Sequence, residues 1–314
     1  MLLPGARGAL TLMYLEHFGL REFPFTITPD TSYFFSYGHY ADALNTLLVA
    51  LRIGEGFIKV TGEVGTGKTL LCRKLLNSLD EETVTAYLPN PQLTPSALGF
   101  ALAEELGLEL PRNLGQHRVL KQVSQHLIDL NAAGKNVVLC LDEAQAMPLE
   151  TLEALRLLTN LETEKRKLVQ VVMFGQPELD ARLSRPSTRQ LRQRITFSYT
   201  LPPIDRRGLR AYVAHRLHVA GYHDGGLFQP GALALLYRAS GGIPRLINIL
   251  CHKALMVAYG RGDRSVSRAH MRTAVRDTQD AQRGTEAGRF WKWSGAVIVV
   301  LAVAVYLVVR KGAL

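Results

Sequence analysis

Cysteine is scarce in this sequence, with three residues among 314, and their positions match neither a disulfide framework nor a metal-ligand spacing. A small secreted domain held together by disulfides is therefore excluded. Cys72 falls in a predicted helix and Cys140 in a very apolar predicted strand, so we expect both to be buried and inert. The odd count, which includes Cys251, is typical of a protein in a reducing compartment.

Acidic residues are also under-represented, because 27 Asp and Glu stand against 37 Lys and Arg and leave a formal charge of +10. This surplus suits nucleotide phosphates, nucleic acid or an acidic membrane surface, although a solvated basic surface explains it equally well. Long polar stretches are missing, which excludes a long disordered region. Residues 1–13 lack the compact apolar run of a secretory signal.

One long uncharged run is present near the end of the chain. Residues 293–309 carry no charge, and their length is at the lower limit for crossing the hydrocarbon layer. A buried core helix is the alternative, but it would need another domain to surround it. We therefore predict a transmembrane helix over 291–309, between a polar linker over 279–290 and a short tail over 310–314. A slight excess of positive charge before this span places the body in the cytoplasm, at the inner membrane.

The rest of the chain changes in pattern near Pro202. Before this point, β-rich apolar runs alternate with helical patterns, which predicts an α/β domain whose parallel sheet has helices on both faces. After Pro203 only amphipathic helical patterns follow, so a small all-α domain is predicted over 203–278. The strands are predicted at 57–61, 83–88, 137–141, 168–174 and 195–200. The helices are predicted at 70–79, 96–106, 119–131, 149–161, 209–220, 231–239, 245–259 and 267–278.

A complete phosphate-binding motif follows the first predicted strand. The sequence GEVGTGKT matches G-x-x-x-x-G-K-[ST] at every position. Its glycines let successive backbone N–H groups point at phosphate oxygens, and the following helix presents its positive end to the same anion. Lys68 is expected to reach the β- and γ-phosphates, and the Thr69 hydroxyl to bind Mg²⁺. A Gly-rich turn without a ligand is the alternative. The predicted nucleotide-binding residues are Gly62, Glu63, Val64, Gly65, Thr66, Gly67, Lys68, Thr69 and Leu70.

An acidic pair follows the third predicted strand. Asp142 and Glu143 should lie at the carboxyl edge of the sheet, where open α/β sheets bind their ligands. Asp142 would hold Mg²⁺, directly or through water, and Glu143 would act as general base on the attacking water. Helix capping is the alternative role for such a pair, but the complete phosphate loop upstream favours the catalytic one.

Three weaker signals would complete a hydrolytic site. Gln176 follows the fourth predicted strand and could orient water near the γ-phosphate, or it could serve only the turn that follows. Among Arg189, Arg192 and Arg194, the last is the first candidate and Arg192 the second for an arginine finger given to a neighbouring subunit. A basic solvated helix face explains these arginines equally well. Arg245 begins a predicted helix in GGIPR and could reach the nucleotide, or it could be surface charge.

These motifs together resemble the AAA+ superfamily, since GEVGTGKT, VVLCLDEAQ, LRQRI and GGIPR occur in that order at suitable distances. Within it the chain resembles the general secretion pathway protein A ATPases and their pilus-biogenesis relatives over 13–278, above all through the opening MYLEHFGLREFPF. Because that opening usually starts such proteins, residues 1–12 are a possible extension and Met13 is a possible initiator. The nucleotide-binding domain is accordingly predicted over 13–202.

The resemblance implies an AAA+ fold with a helical lid, ATP and Mg²⁺ as ligands, and ring-shaped homo-oligomers. It also implies a role in assembling an envelope machine such as a secretin channel or a pilus. In the family pattern Gln176 takes the first sensor position and Arg245 the second. The secretion members carry a periplasmic, peptidoglycan-binding region after their membrane span, whereas only residues 310–314 follow here. We therefore expect a membrane partner to supply the periplasmic part.

Three functions are compatible with these observations. The first is an ATPase held in the lipid bilayer that serves a secretion, pilus or exopolysaccharide-export machine. The second is a DNA-handling ATPase, which the +10 charge allows, although no segment for reading DNA sequence is left over. The third is an ATP-dependent switch with little turnover, against which Glu143 argues because such a switch needs no general base. We expect the first.

Overall fold

The computed structural model describes residues 14–111, 113–159 and 167–278. The predicted linker, transmembrane helix and tail over 279–314 lie outside these residues, as does the possible extension over 1–12. Within the described ranges, no helix combines the length and the apolar character needed to span a bilayer. The chain forms two compact units. One is Thr28–Pro203, and the other combines, among the described residues, 14–27 with 204–278.

The first unit contains a five-stranded sheet in which every pairing is parallel, in the order β2-β3-β4-β1-β5. The predicted parallel α/β sheet is therefore confirmed. The fourth strand begins two residues later than the sequence predicted, and the third begins one residue earlier. The strands are β1 Phe57–Thr61, β2 Thr83–Leu88, β3 Asn136–Leu141, β4 Gln170–Gly175 and β5 Ile195–Thr200.

Strand order decides which loops meet. Every residue of β4 is buried, whereas β5 alternates between half-buried and exposed residues, as expected for an edge strand. Parallel strands covered on both faces need nearly continuous apolar runs, which VVMF in β4 supplies. Because β4 lies between β1 and β3, the loops that leave the carboxyl ends of these three strands are neighbours at one edge of the sheet.

Helices cover the sheet of the first unit. The second of them begins at Lys68, two residues before the predicted start, because Gly67 in the left-handed conformation leads directly into it. The third begins after Thr94, whose hydroxyl accepts the N–H of Ala97 at 3.3 Å. The helices are α1 His39–Arg52, α2 Lys68–Leu76, α3 Pro95–Glu105, α4 Gln116–Ala132, α5 Leu149–Leu158, α6 Glu178–Leu183 and α7 Arg189–Arg194.

The second unit has four helices among its described residues from Ile204 onward, at the positions that the sequence predicted. Two of them have proline at the first helical position, where its missing N–H costs nothing, and two begin after the capping residues Asp205 and Ser267. The helices are α8 Arg206–Val219, α9 Pro230–Ser240, α10 Pro244–Gly260 and α11 Arg268–Arg276.

The segment before Thr28 packs on these helices. Tyr14 makes an edge-to-face contact with Tyr259 of α10, and Arg216 of α8 donates to the carbonyl of Pro24 at 2.5 Å. The family resemblance of the opening MYLEHFGLREFPF placed this segment in the nucleotide-binding domain predicted over 13–202. The structure instead groups it with the helical unit, because its aromatic side chains are buried there.

Gly242 lies where two backbone segments of the second unit meet. Its φ is +80°, and a Cβ atom built on it would lie 2.1 Å from the carbonyl oxygen of Ile204. The N–H of Ile204 donates to the carbonyl of Gly242 at 2.8 Å. This glycine of the GGIPR motif is therefore required by close backbone approach.

Replacing Gly242 by alanine should destabilise the second unit strongly. We expect the free energy of unfolding to fall by about 3 kcal/mol or more, because the added Cβ meets backbone that cannot move aside. Gly241→Ala is the matched control, since Gly241 also has a positive φ of +58° but nothing lies within 4 Å of its Cβ position. That variant should lose only about 1 to 2 kcal/mol. Equal losses in denaturant unfolding would contradict this explanation.

Candidate active site

The loop between β1 and α2 has the backbone geometry that the phosphate-binding motif requires. Gly65 and Gly67 have φ values of +81° and +94°, which only glycine adopts readily. A Cβ on Gly62 would lie 2.8 Å from the carbonyl oxygen of Leu201. Three glycines are thus needed for the loop to form, and the positive end of α2 borders it.

Lys68 folds back into this loop. It is 5% exposed, and its Nζ donates to the carbonyl oxygens of Gly62 at 2.8 Å and Glu63 at 3.0 Å. Burial lowers the pKa of Lys68, and the carboxylates of Glu143 and Asp142 oppose that effect. The ammonium group therefore sits inside the loop on bonds that phosphate oxygens can replace.

Two hydroxyl groups brace the loop. The hydroxyl of Tyr40, in α1, donates to the carbonyl of Thr66 at 2.8 Å in a buried position. Thr66 in turn donates through Oγ1 to the carbonyl of Glu63 at 2.8 Å. The contact of Tyr40 is not evident from the sequence, because Tyr40 belongs to an amphipathic helix that precedes the motif by more than 20 residues.

Asp142 and Thr69, the two predicted Mg²⁺ ligands, share a hydrogen bond. Asp142 follows β3 and is 2% exposed. Burial raises the pKa of its carboxyl group, while hydrogen bonds from the Thr69 side chain and from the N–H of Glu143 act in the opposite direction. The second of these bonds measures 3.0 Å. A hydroxyl and a carboxylate, both oxygen ligands that Mg²⁺ prefers, are therefore adjacent at the mouth of the phosphate loop.

Glu143 turns out of the strand through an unusual backbone conformation. Its φ is +53°, and no other residue except glycine has a positive φ in the described part of the chain. This left-handed conformation costs about 1 to 2 kcal/mol and is found mostly where function requires it. Glu143 Oε2 accepts hydrogen bonds from Gln145 Nε2 at 2.5 Å and from Gln176 Nε2 at 3.0 Å. The predicted base and the predicted first sensor are thus in direct contact.

The predicted arginines lie in different settings. Arg194 Nη1 donates to the carbonyl of Arg156 at 3.3 Å, near the end of α5, where it supports the last turn. Arg189 and Arg192 are exposed on α7. Arg245 is exposed in the first turn of α10 in the second unit. The roles of finger and second sensor stay predictions.

The three cysteines are buried and free, as the sequence predicted for Cys72 and Cys140. Cys72 of α2 and Cys140 of β3 share a hydrogen bond behind the site, and this contact together with burial raises the pKa of the Cys72 thiol. The Cys72 thiol is therefore protonated at neutral pH and unreactive.

The donor set fits ATP with Mg²⁺. Mg²⁺ in phosphate sites takes one or two protein ligands and completes its shell with water and phosphate oxygens, so Thr69 and Asp142 suffice. Among the described residues, no group of three or more His, Cys, Asp or Glu forms a separate metal site. The exchangeable hydrogen bonds of the Lys68 ammonium group suit a phosphate chain.

Comparisons with known proteins agree with this geometry. A family model described as an AAA domain matches residues 52–183. The chain is 43% identical over 291 residues to general secretion pathway protein A of Aeromonas hydrophila, which covers 92% of this chain and 52% of that protein. It therefore spans about half the length of this curated relative.

Solved structures of similar fold share little sequence with the chain. Cdc6p from Pyrobaculum aerophilum matches with a TM-score of 0.63 at 21% identity, covering 80% of this chain and 71% of that one. The Aeropyrum pernix ORC2 protein, in ADPNP–ADP complexes, matches with a TM-score of 0.58 at 19% identity, and the match covers 76% of this chain and 67% of that one. The RuvB Holliday junction branch migration motor of Thermotoga maritima matches with a TM-score of 0.52 at 16% identity, and the match covers 76% of this chain and 67% of that one. At these identities the similarity shows the fold alone.

Proposed function

We propose that this chain, an AAA+ protein related to general secretion pathway protein A, binds ATP with Mg²⁺ and hydrolyses it to ADP and phosphate. The observation that carries the proposal is the meeting of three loops at one edge of the sheet. They bring together the phosphate loop after β1, the acidic pair after β3 and Gln176 after β4.

Each residue of the site has a distinct task in this proposal. The backbone of Gly62 to Leu70 surrounds the phosphates, and Lys68 exchanges its two carbonyl partners for β- and γ-phosphate oxygens. Thr69 and Asp142 hold Mg²⁺, which when bound neutralises charge on the phosphates. In this arrangement the γ-phosphate would lie next to Glu143.

Glu143 accepts a proton from the attacking water, and Gln176 orients the reacting groups. The left-handed turn at Glu143 directs its carboxylate toward Gln176 rather than along the strand. A general base held in this way contributes roughly 10²- to 10⁴-fold to the rate of proton transfer. A non-hydrolysing switch would have no use for such an arrangement.

The cellular role that we propose is assistance to a cell-envelope secretion, pilus or export machine. The printed name of the relative supports a secretion role, and residues 291–309 would anchor the chain in the inner membrane with its ATPase body in the cytoplasm. The helical unit over 203–278 would act as a lid. Homo-oligomeric rings would let Arg192 or Arg194 of one subunit serve the nucleotide of the next.

Phosphate release tests the enzymatic part of the proposal. Purified full-length protein should release phosphate when ATP and Mg²⁺ are both present, and release should stop when Mg²⁺ is chelated. Membrane fractionation tests the anchoring: the intact chain should sediment with membranes, and a chain lacking 291–309 should not. An unchanged distribution of the shortened chain would overturn the anchor without affecting the hydrolysis proposal.

A further inference from the structure

Gln145 makes three hydrogen bonds within the site, although no sequence motif predicted a role for it. Its Nε2 donates to Glu143 Oε2 at 2.5 Å, and its Oε1 accepts the backbone N–H of Gln176 at 2.9 Å. Its carbonyl oxygen accepts a hydrogen bond from Arg182 of α6. One side chain therefore links the turn after β3 to the turn after β4.

The orientation of the Gln145 amide is fixed by its partners. A backbone N–H can only donate, so the atom that faces Gln176 N must be the oxygen. The NH₂ group consequently faces the Glu143 carboxylate, which can only accept when ionised. Both hydrogen bonds are satisfied in one arrangement, and a flipped amide would lose both.

Glu143 has few other means of holding its position. Its backbone departs from the strand in the left-handed conformation, so the sheet does not orient its side chain. The two hydrogen bonds on its Oε2 both come from side-chain amides, those of Gln145 and Gln176. Gly175 leaves space for the Gln145 side chain. A Cβ atom at this position would lie 3.2 Å from Gln145 Oε1 and 2.8 Å from Leu179 Cδ2.

We propose that Gln145 is a positioning residue for hydrolysis. Its side-chain NH₂ group holds the Glu143 carboxylate, and its side-chain oxygen holds the backbone of Gln176, so that one amide fixes both residues relative to each other. This inference rests on the proposed ATPase function. None of these three hydrogen bonds of Gln145 involves the phosphate loop, so we expect its effect to fall on the chemical step and to leave substrate binding unchanged. Misplacing a catalytic group by about 1 Å can cost on the order of 100-fold in rate.

The first experiment replaces Gln145 by leucine, which keeps the volume and removes both hydrogen bonds. We expect kcat for phosphate release to fall about 10- to 100-fold while the KM for ATP changes less than about twofold. Gln170→Leu is the matched control. Gln170 is a buried glutamine at the opposite end of β4, where its Nε2 donates to the carbonyls of Leu51 and Glu55, both at 2.9 Å. Its loss should reduce stability and leave kcat per folded molecule near the wild-type value.

The second experiment is a double-mutant cycle that separates positioning from general structural support. If Gln145 acts through the Glu143 carboxylate, adding Gln145→Leu to Glu143→Gln should lower kcat by less than about twofold, because the base that Gln145 positions is already absent. A merely structural residue would lower kcat by the same factor in both backgrounds.

The outcomes separate this inference from the proposed function. Phosphate release from the wild type with an unchanged kcat in Gln145→Leu would overturn the positioning role alone. An equal loss of kcat in the Gln170→Leu control, or an undiminished loss when Gln145→Leu is added to Glu143→Gln, would overturn it as well. Absence of Mg²⁺-dependent release from the wild type would instead overturn the ATPase function itself.

Discussion

Replacing Glu143 by glutamine should abolish most hydrolysis while leaving ATP binding intact. The glutamine oxygen can still accept the hydrogen bonds that Gln145 and Gln176 now make to Oε2, so the local structure should persist. What the amide cannot do is take a proton from water, and loss of a general base costs roughly 10²- to 10⁴-fold. We therefore expect a fall in kcat of at least about 100-fold.

The measurement is single-turnover phosphate release, together with equilibrium binding of ATP to the same preparation. Glu150→Gln is the control, because it is the same substitution on a glutamate in the first turn of α5. That variant should hydrolyse ATP at the wild-type rate. Glu143→Gln protein that turns ATP over normally would show that another residue acts as the base.

Loss of the Lys68 side chain should have the largest effect on binding. Its ammonium group is the buried cation inside the phosphate loop, with two carbonyl oxygens as its present partners. Hydrogen bonds to charged groups contribute about 1.5 to 3 kcal/mol each, so the affinity for ATP in Lys68→Ala should fall about 100-fold or more. Lys74→Ala removes the same charge from the same helix, one turn and a half further on, and should bind ATP normally.

The sequence predicted those parts of the site that depend on residues adjacent to one another in the chain. The phosphate loop needs glycine at fixed spacings for its positive φ angles, so GEVGTGKT predicts both its conformation and its ligand. Apolar strands buried on both faces are similarly evident as continuous runs, which is why the parallel sheet was predictable. Asp142, Glu143 and Gln176 followed because each comes directly after such a strand.

The parts that escaped prediction depend on contacts between distant segments. Tyr40 braces the loop from a helix whose pattern shows only an amphipathic surface. Gln145 lies beside the acidic pair, but its task is visible only once β3 and β4 are neighbours. The left-handed turn at Glu143 is equally hidden, because glutamate rarely adopts it and no local rule predicts it there.

Two further contacts depend on distant segments in the same way. The family resemblance placed the segment before Thr28 in the nucleotide-binding domain, whereas its aromatic residues pack on helices of the second unit, as Tyr14 does on Tyr259. Arg194 was the first candidate for the finger because it immediately precedes β5, yet its guanidinium donates to the backbone at the end of α5. A basic side chain near a helix terminus satisfies free carbonyl groups as well as it serves a neighbouring subunit.

Equilibrium titration of the purified full-length wild type and of Lys68→Ala with a fluorescent ATP analogue, in the presence of Mg²⁺, tests the central claim most directly. If triphosphate is held in the loop between β1 and α2, the two binding curves will be separated by about two orders of magnitude in concentration. Superimposable curves would contradict the claim and place the nucleotide, if any, elsewhere on the protein.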